Sequence, residues 1–332
     1  MRLTLIWQNN YFPETSWIKH LFSPFASEEI VDNDHRVVMD DCLLIDSYLH
    51  CQPREYYKQF RGKNAWLLHA SDETYEGGYE AYENFRGVFR FYRSGIFNPR
   101  KVMQIPLGHS SGFHAGTVEL GTARRPYLWS TVGAAGKGSR PDMLKALLPL
   151  TPHFAHITDR GNVGRISKEE YAQILRDSIF VPSPMGNVNL ECFRMYEALE
   201  CGAIPILEKR IGLDYFTHLL GEHPMPSFTN WRKAARFVEA IRNDRAALDR
   251  LQLKCFQWWI DYKSRLHDRI SDFFEHPPVN ESGNYVRWQR AIPGSQVVEL
   301  MRHHTVPALA RRVRLQVGRL FKEGKLRKTT GA

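Results

Sequence analysis

The stretch from Ser178 to Leu207, SIFVPSPMGNVNLECFRMYEALECGAIPIL, holds residues whose types and spacing can do chemistry. Glu191, Arg194 and Glu197 recur at every third position, so on a helix they share one face. A guanidinium there can grip a diphosphate through paired hydrogen bonds. A carboxylate beside it can accept both hydroxyls of a ribose. A solvated helix face with a Glu–Arg pair would use the same residues, but the flanking chain favours a site. Ser178 to Val181 is a short apolar run stopped by Pro182, Ser183 and Pro184, which reads as the end of a strand. Gly186, Asn187 and Asn189 form a flexible polar loop. The spacing of Phe193, Tyr196 and Leu199 predicts a helix over 191–200 that faces a sheet. Gly202 ends that helix, and Ala203 to Leu207 is a second buried strand. The loop of this β-α-β unit lies where open α/β sheets bind ligands and where helix amino ends attract phosphate.

A similar order stands upstream. Tyr127 to Val132 reads as a strand, Gly133 to Arg140 as a loop with glycines at 133, 136 and 138, and Pro141 to Leu148 as a helix. The loop fits neither GxxxxGK[ST] nor GxGxxG. Its glycines still let the backbone approach a diphosphate, and Lys137 and Arg140 supply opposing charge.

A displacement reaction also needs a base for the acceptor hydroxyl. Ala65 to His69, AWLLH, is a strand with Asp72 and Glu73 just past its carboxyl end. Either can serve as base, although helix capping by Ser71 or Asp72 explains the same residues. His109, in the polar loop after a strand at 102–106, is the alternative. Arg90 and Arg93 read as half-exposed strand arginines within reach of an anion. Asp32-Asn33-Asp34 has the DxD form that holds a metal–diphosphate in many sugar transferases, but in an early polar loop it reads as a turn. No metal site and no cofactor is assigned.

These residues carry a resemblance. The pattern strand–PS–loop–E–x–x–R–x–x–E–A–L–x–x–G–A–I–P–I resembles the donor-site signature of exostosin-type glycosyltransferases, and more loosely that of α1,3-fucosyltransferases. LLHASDE with the FRFYRS and IPLG segments that follow resembles the amino-terminal half of the ribitol-xylosyltransferase-like branch. The resemblance implies an α/β protein of the GT-B fold, two Rossmann-like domains facing a cleft, that inverts the anomeric centre. It implies that Arg194 contacts the donor diphosphate, Glu197 the nucleoside, and that Glu191 lies close to the sugar. It also implies a Gly-rich loop and an Arg after the first donor-domain strand, here Gly133 and Arg140.

Composition supports an enzyme. The chain has 332 residues, 43% of them apolar and 12% aromatic, enough for two full cores. We expect an acceptor domain at 1–120, a nucleotide-sugar domain at 121–275 and an extension at 276–332. No run of the sequence approaches the ~18 apolar residues of a membrane span, and the amino-terminal residues read as a first strand. Five cysteines without CxxC pairs suit free thiols in a reducing cytoplasm. The net charge of +9 sits mostly in the tail, where residues 301–332 carry nine Arg or Lys against one Glu. A neutral body disfavours a nucleic-acid binder. Thr305 to Leu326 reads as an amphipathic basic helix, and residues 305–328 could dock on the protein or lie on an anionic membrane face.

The reading is an inverting, metal-independent glycosyltransferase. It takes a nucleotide-sugar donor, UDP-linked, and a glycan or lipid-linked acceptor in surface polysaccharide synthesis. The rivals are a fucosyltransferase-like enzyme with a GDP-sugar, and a non-catalytic subunit of a polysaccharide assembly complex.

Overall fold

The computed structural model describes residues 2–9, 11–75, 77–136, 138–158, 166–186, 189–210, 214–277 and 285. Two parallel sheets organise them. The first contains β1 (Leu3–Trp7), β2 (Ala26–Val31), β3 (Cys42–Asp46), β4 (Ala65–His69), β5 (Val88–Arg90) and β6 (Val102–Gln104), in the order β2-β1-β3-β4-β5-β6. Its central strands LTLIW, CLLID and AWLLH are buried at every position. Continuous apolar runs of this kind belong to parallel strands covered on both faces. Helices α1 (Thr15–Phe22) and α2 (Arg54–Lys58) connect them.

The second sheet holds β7 (Tyr127–Ala134), β8 (His153–Thr158), β9 (Ser178–Ser183), β10 (Ile204–Glu208) and β11 (Ser227–Phe228), in the order β11-β10-β9-β7-β8. Between and after them run α3 (Arg140–Leu147), α4 (Lys168–Arg176), α5 (Phe193–Glu200), α6 (Tyr215–Leu220), α7 (Trp231–Ile241) and α8 (Arg245–Glu275). Ser167 caps α4 by accepting the Glu170 N–H on its hydroxyl at 3.0 Å. Helix α8 spans both sheets. Its Gln252 and Asp249 accept backbone N–H bonds from Gly121 and Thr122 in the connection between the sheets. Further on, Trp259 stacks on Trp17 at 5.7 Å, and Phe274 meets Trp66 at 4.9 Å. Trp259 and Tyr262 are core residues.

Four local expectations are corrected. Strand β9 runs through Pro182 to Ser183; it pairs with β7 at Ser178 and Phe180, so the proline falls past that ladder. Helix α5 starts at Phe193, because Cys192 is extended at φ −150°, and Glu191 therefore precedes the helix and does not share its face. No α-helix begins at Ser71 for it or Asp72 to cap: Ser71 is left-handed at φ 53°, and the next helical turn is a 3-10 segment at Tyr79–Asn84. Arg90 is fully buried, not half-exposed.

The DxD triplet is a turn. Asp32 Oδ2 accepts the Arg36 and Val37 N–H groups at 2.8 and 2.7 Å and the Gln8 amide at 3.2 Å. The basic helix expected at Thr305–Leu326 lies outside the described residues, as does Lys137. Among the described residues no helix is long and apolar enough to cross a membrane.

Candidate functional site

The carboxyl ends of β7, β9 and β10 meet around two arginines. Arg140 opens α3, and its Nη1 donates to the Ala134 carbonyl at 2.8 Å. Arg194, in the first turn of α5, donates from Nη2 to the Val132 carbonyl at 2.8 Å. Between these carbonyls lies Gly133, at φ 126°. A β-carbon there would stand 3.5 Å from Arg194 Nη2 and 3.6 Å from Arg140 Nη1. An L-residue is strained at that φ, which explains the glycine.

Arg140 Nε and Arg194 Nε and Nη1 are buried without hydrogen-bond partners among the described residues. Buried polar atoms are rarely left so, and an orphaned donor costs about 1–3 kcal/mol unless something satisfies it. Burial, reinforced by the charge of Arg194, lowers the Arg140 pKa to about 10, which still leaves it cationic at neutral pH. Neither α3 nor α5 has a side-chain hydrogen bond at its N-cap. Two adjacent cations beside two helix starts could hold an anion.

The neighbouring loops are pinned. Ser139 Oγ donates to Glu208 Oε2, which also accepts the Met185 N–H at 3.1 Å. Glu208 Oε1 pairs with Arg210 at 2.8 Å. Ser183, a donor-site candidate from the sequence, is fully buried, and its hydroxyl lies 3.4 Å from the Val181 carbonyl.

Glu191 and Glu197 each bind groups from distant parts of the chain. Glu191 is 1% exposed and its lone pairs are taken by the Leu107 N–H at 2.7 Å, the Tyr196 hydroxyl at 2.5 Å and the Tyr215 hydroxyl at 2.8 Å. Burial raises its pKa, and those three bonds oppose the rise. The Tyr215 hydroxyl also accepts the Arg93 N–H, so Glu191 ties the loops after β5 and β6 to α5 and α6. Glu197 Oε1 accepts the Ser110 hydroxyl at 2.6 Å and its N–H at 3.2 Å, while Oε2 accepts the Tyr171 hydroxyl at 3.0 Å. Oε1 thus carries two donors and Oε2 one, which leaves Oε2 room for a further hydroxyl.

Of the candidate bases, Asp72 is held in a buried ion pair with Arg90 at 3.2 Å. The Tyr79 hydroxyl adds a bond to it at 3.1 Å, and the Arg90 guanidinium lies 4.3 Å from the Phe97 ring centroid. This is a core pair between β4 and β5. Glu73 points the other way, across the cleft. Its Oε1 lies 3.5 Å from the Asn189 N–H, and a β-carbon on Gly186 would stand 3.2 Å from it. Its charge acts on Arg140. His109 packs edge-on to Trp17 at 5.6 Å and against Phe113 at 6.1 Å, on the α1 side of the fold. The structure therefore groups Gly133, Arg140 and Arg194, places Glu73 at Asn189 and Gly186 with its charge acting on Arg140, holds Asp72 in the Arg90 pair and packs His109 against Trp17. The sequence reading gave no site role to Ser110, Tyr171 or Tyr215; only the fold brings them to the glutamates.

Known proteins share parts of this architecture. Residues 116–276 match the family model described as RXYLT1 C-terminal domain. The chain is 24% identical over 209 residues to ribitol-5-phosphate xylosyltransferase 1 of Danio rerio, which covers 57% of this chain and 48% of that protein. It thus spans about half the length of the curated relative it matches. Among solved structures, an α1,3-fucosyltransferase with GDP aligns at a TM-score of 0.50 and 11% identity, over 85% of this chain and 92% of that one. Anabaena Alr3699/HepE in complex with UDP aligns at 0.48 and 11% identity, over 83% and 100%. The fold is GT-B, as expected.

Proposed function

We propose that this chain, whose residues 116–276 belong to the RXYLT1 C-terminal domain family, is an inverting glycosyltransferase that uses a nucleotide-sugar donor. The observation that carries the reading is the Arg140–Arg194 pair around Gly133, with its unpartnered guanidinium N–H groups. These donors take the diphosphate, and they gain most as negative charge builds on the leaving oxygen. Glu73 faces them from the first sheet and takes the proton of the acceptor hydroxyl. The hydroxyl oxygen bonds to the anomeric carbon from the face opposite the departing diphosphate, so the centre inverts. The cationic pair supplies the leaving-group charge without an obligatory metal.

The donor is UDP-linked and the acceptor a glycan or lipid-linked glycan, as in surface polysaccharide synthesis. The related xylosyltransferase makes a pentosyl donor the first to assay. The protein works in the cytoplasm, at the membrane surface if residues 305–328 bind anionic lipid. The test is donor turnover by purified protein across a panel of UDP- and GDP-sugars, for wild type and Arg194→Ala. Wild type should release nucleotide from one UDP-sugar and the variant should not. Equal turnover by both removes the reading.

A further inference from the structure

Asn189, in the loop between β9 and α5, is fully buried, and each of its polar atoms has a partner. Its Oδ1 accepts the Glu191 N–H at 3.1 Å, and its Nδ2 donates to the Tyr75 hydroxyl at 2.8 Å. The Tyr75 hydroxyl donates in turn to the Arg93 carbonyl at 2.8 Å. A hydroxyl carries one proton, and this one is committed to Arg93, so Tyr75 meets Asn189 as an acceptor. The direction of each bond fixes which way the amide points. Position 189 thus needs an acceptor and a donor on one short side chain, which an amide supplies.

The same residue meets Glu73. Its N–H lies 3.5 Å from Glu73 Oε1, and its carbonyl accepts the Gly186 N–H at 2.9 Å. A β-carbon on Gly186 would stand 3.2 Å from that same Glu73 oxygen. The carboxylate therefore rests against the backbone of the β9–α5 loop. Glu73 and Tyr75 are near neighbours in the segment after β4, so Asn189 holds that segment twice, by its N–H at the carboxylate and by its amide at the hydroxyl. Ser71 and Tyr75, on either side of Glu73, are both left-handed at φ 53°. Residues with a β-carbon stay in that region only where their surroundings enforce it.

We propose that Asn189 is a positioning residue for Glu73: through Tyr75 and its own N–H it fixes where the carboxylate stands against the donor side of the cleft. This rests on the reading that Glu73 takes the acceptor proton. The carboxylate comes from the loop after β4 and its seat from the loop after β9, so one side chain sets the base and the donor loop relative to each other. A base acts only within hydrogen-bond reach of the proton it removes, and a misplacement of about 1 Å can cost on the order of 100-fold. In the transfer, Glu73 accepts the acceptor hydroxyl proton while that oxygen bonds to the anomeric carbon. The bond from that carbon to the diphosphate breaks, and its electron pair stays on the diphosphate. Asn189 neither gives nor takes a proton.

The test is a double-mutant cycle on kcat, with Asn189→Ala and Tyr75→Phe each made alone and together with Glu73→Gln. Asn189→Ala removes the amide. Tyr75→Phe removes the hydroxyl that the amide binds and keeps the ring, whose centroid lies 5.3 Å from Arg90 Cζ, so the cycle can be read even where the buried alanine costs the fold. Each single variant should lower kcat by about 10- to 100-fold and leave the donor KM within about twofold of wild type. In the Glu73→Gln background each should cost less than about threefold, because the carboxylate they place is gone. Equal factors in both backgrounds mean that Asn189 serves the fold, and overturn the inference; so does a rise in donor KM at constant kcat. Unchanged kcat in both single variants, beside a loss in Glu73→Gln, overturns it while the base assignment stands. Full transfer by Glu73→Gln removes both.

Discussion

Arg140 and Arg194 hang from the same strand end, on the carbonyls of Ala134 and Val132, with Gly133 between them. Each guanidinium uses one Nη on the backbone and keeps buried N–H groups without a partner among the described residues. The backbone thus fixes two cations side by side, where their repulsion favours an anion that bridges them.

Replacing one of them should be costly to chemistry and mild to the fold. Arg194→Ala is expected to lower kcat by about 100- to 1,000-fold, the usual effect of removing one transition-state donor. Arg140→Ala should do somewhat less, and the double variant should fall short of the product of the two, because they act on one anion. Steady-state kinetics with circular dichroism as a fold control checks this. Additive losses would mean that the two do not share a ligand.

Asp72 and Glu73 are adjacent in sequence and should fail in different ways. Breaking the buried Asp72–Arg90 pair with Asp72→Ala should cost about 3–5 kcal/mol, because it strands a buried guanidinium. Glu73→Gln should unfold like wild type and lose transfer by about 100-fold or more. Denaturant titration beside activity separates them. The reverse pattern would move the base to Asp72.

Ser110 competes for the carboxylate that a ribose would need. Ser110→Ala removes the 2.6 Å bond to Glu197. If the nucleotide takes that place, its Kd should tighten by up to about tenfold, the worth of one hydrogen bond to a charged group. Calorimetric titration with UDP tests this. Unchanged or weaker binding would mean that Glu197 keeps its bond to Ser110 when the nucleotide binds.

His69 should make the protein acid-labile. It is fully buried, its Nδ1 meets the Tyr82 hydroxyl at 2.6 Å, and its Nε2 has no partner among the described residues. Burial lowers its pKa to about 4 from an ordinary 6.5. As pH falls through 6.5 the unfolded chain takes up the proton and the folded one does not. Stability should therefore drop between pH 6.5 and 4, by about 3 kcal/mol at the lower end. His69→Gln should show a shallower loss over that window in urea titrations at stepped pH. An identical slope would place the acid sensitivity elsewhere.

By itself the sequence determined the class of fold and that Arg140 and Arg194 would lie at strand exits. Apolar runs such as AWLLH and CLLID can only be covered parallel strands, and glycine followed by basic residues at a strand exit is local chemistry that neighbouring residues decide. Arg194 and Arg140 were legible for that reason. The roles of the carboxylates were not, because each depends on atoms far away in the chain. Glu191 and Glu197 share a spacing with Arg194, yet Leu107, Tyr215 and Ser110 decide what they bind, and those partners arrive from the other sheet and from later helices. Asp72 and Glu73 read alike until a left-handed turn at Ser71 lets one face inward to Arg90 and the other outward to the cleft. Glu14 gave no signal at all. Its burial and its bond from Ser71 exist only once the first sheet has formed.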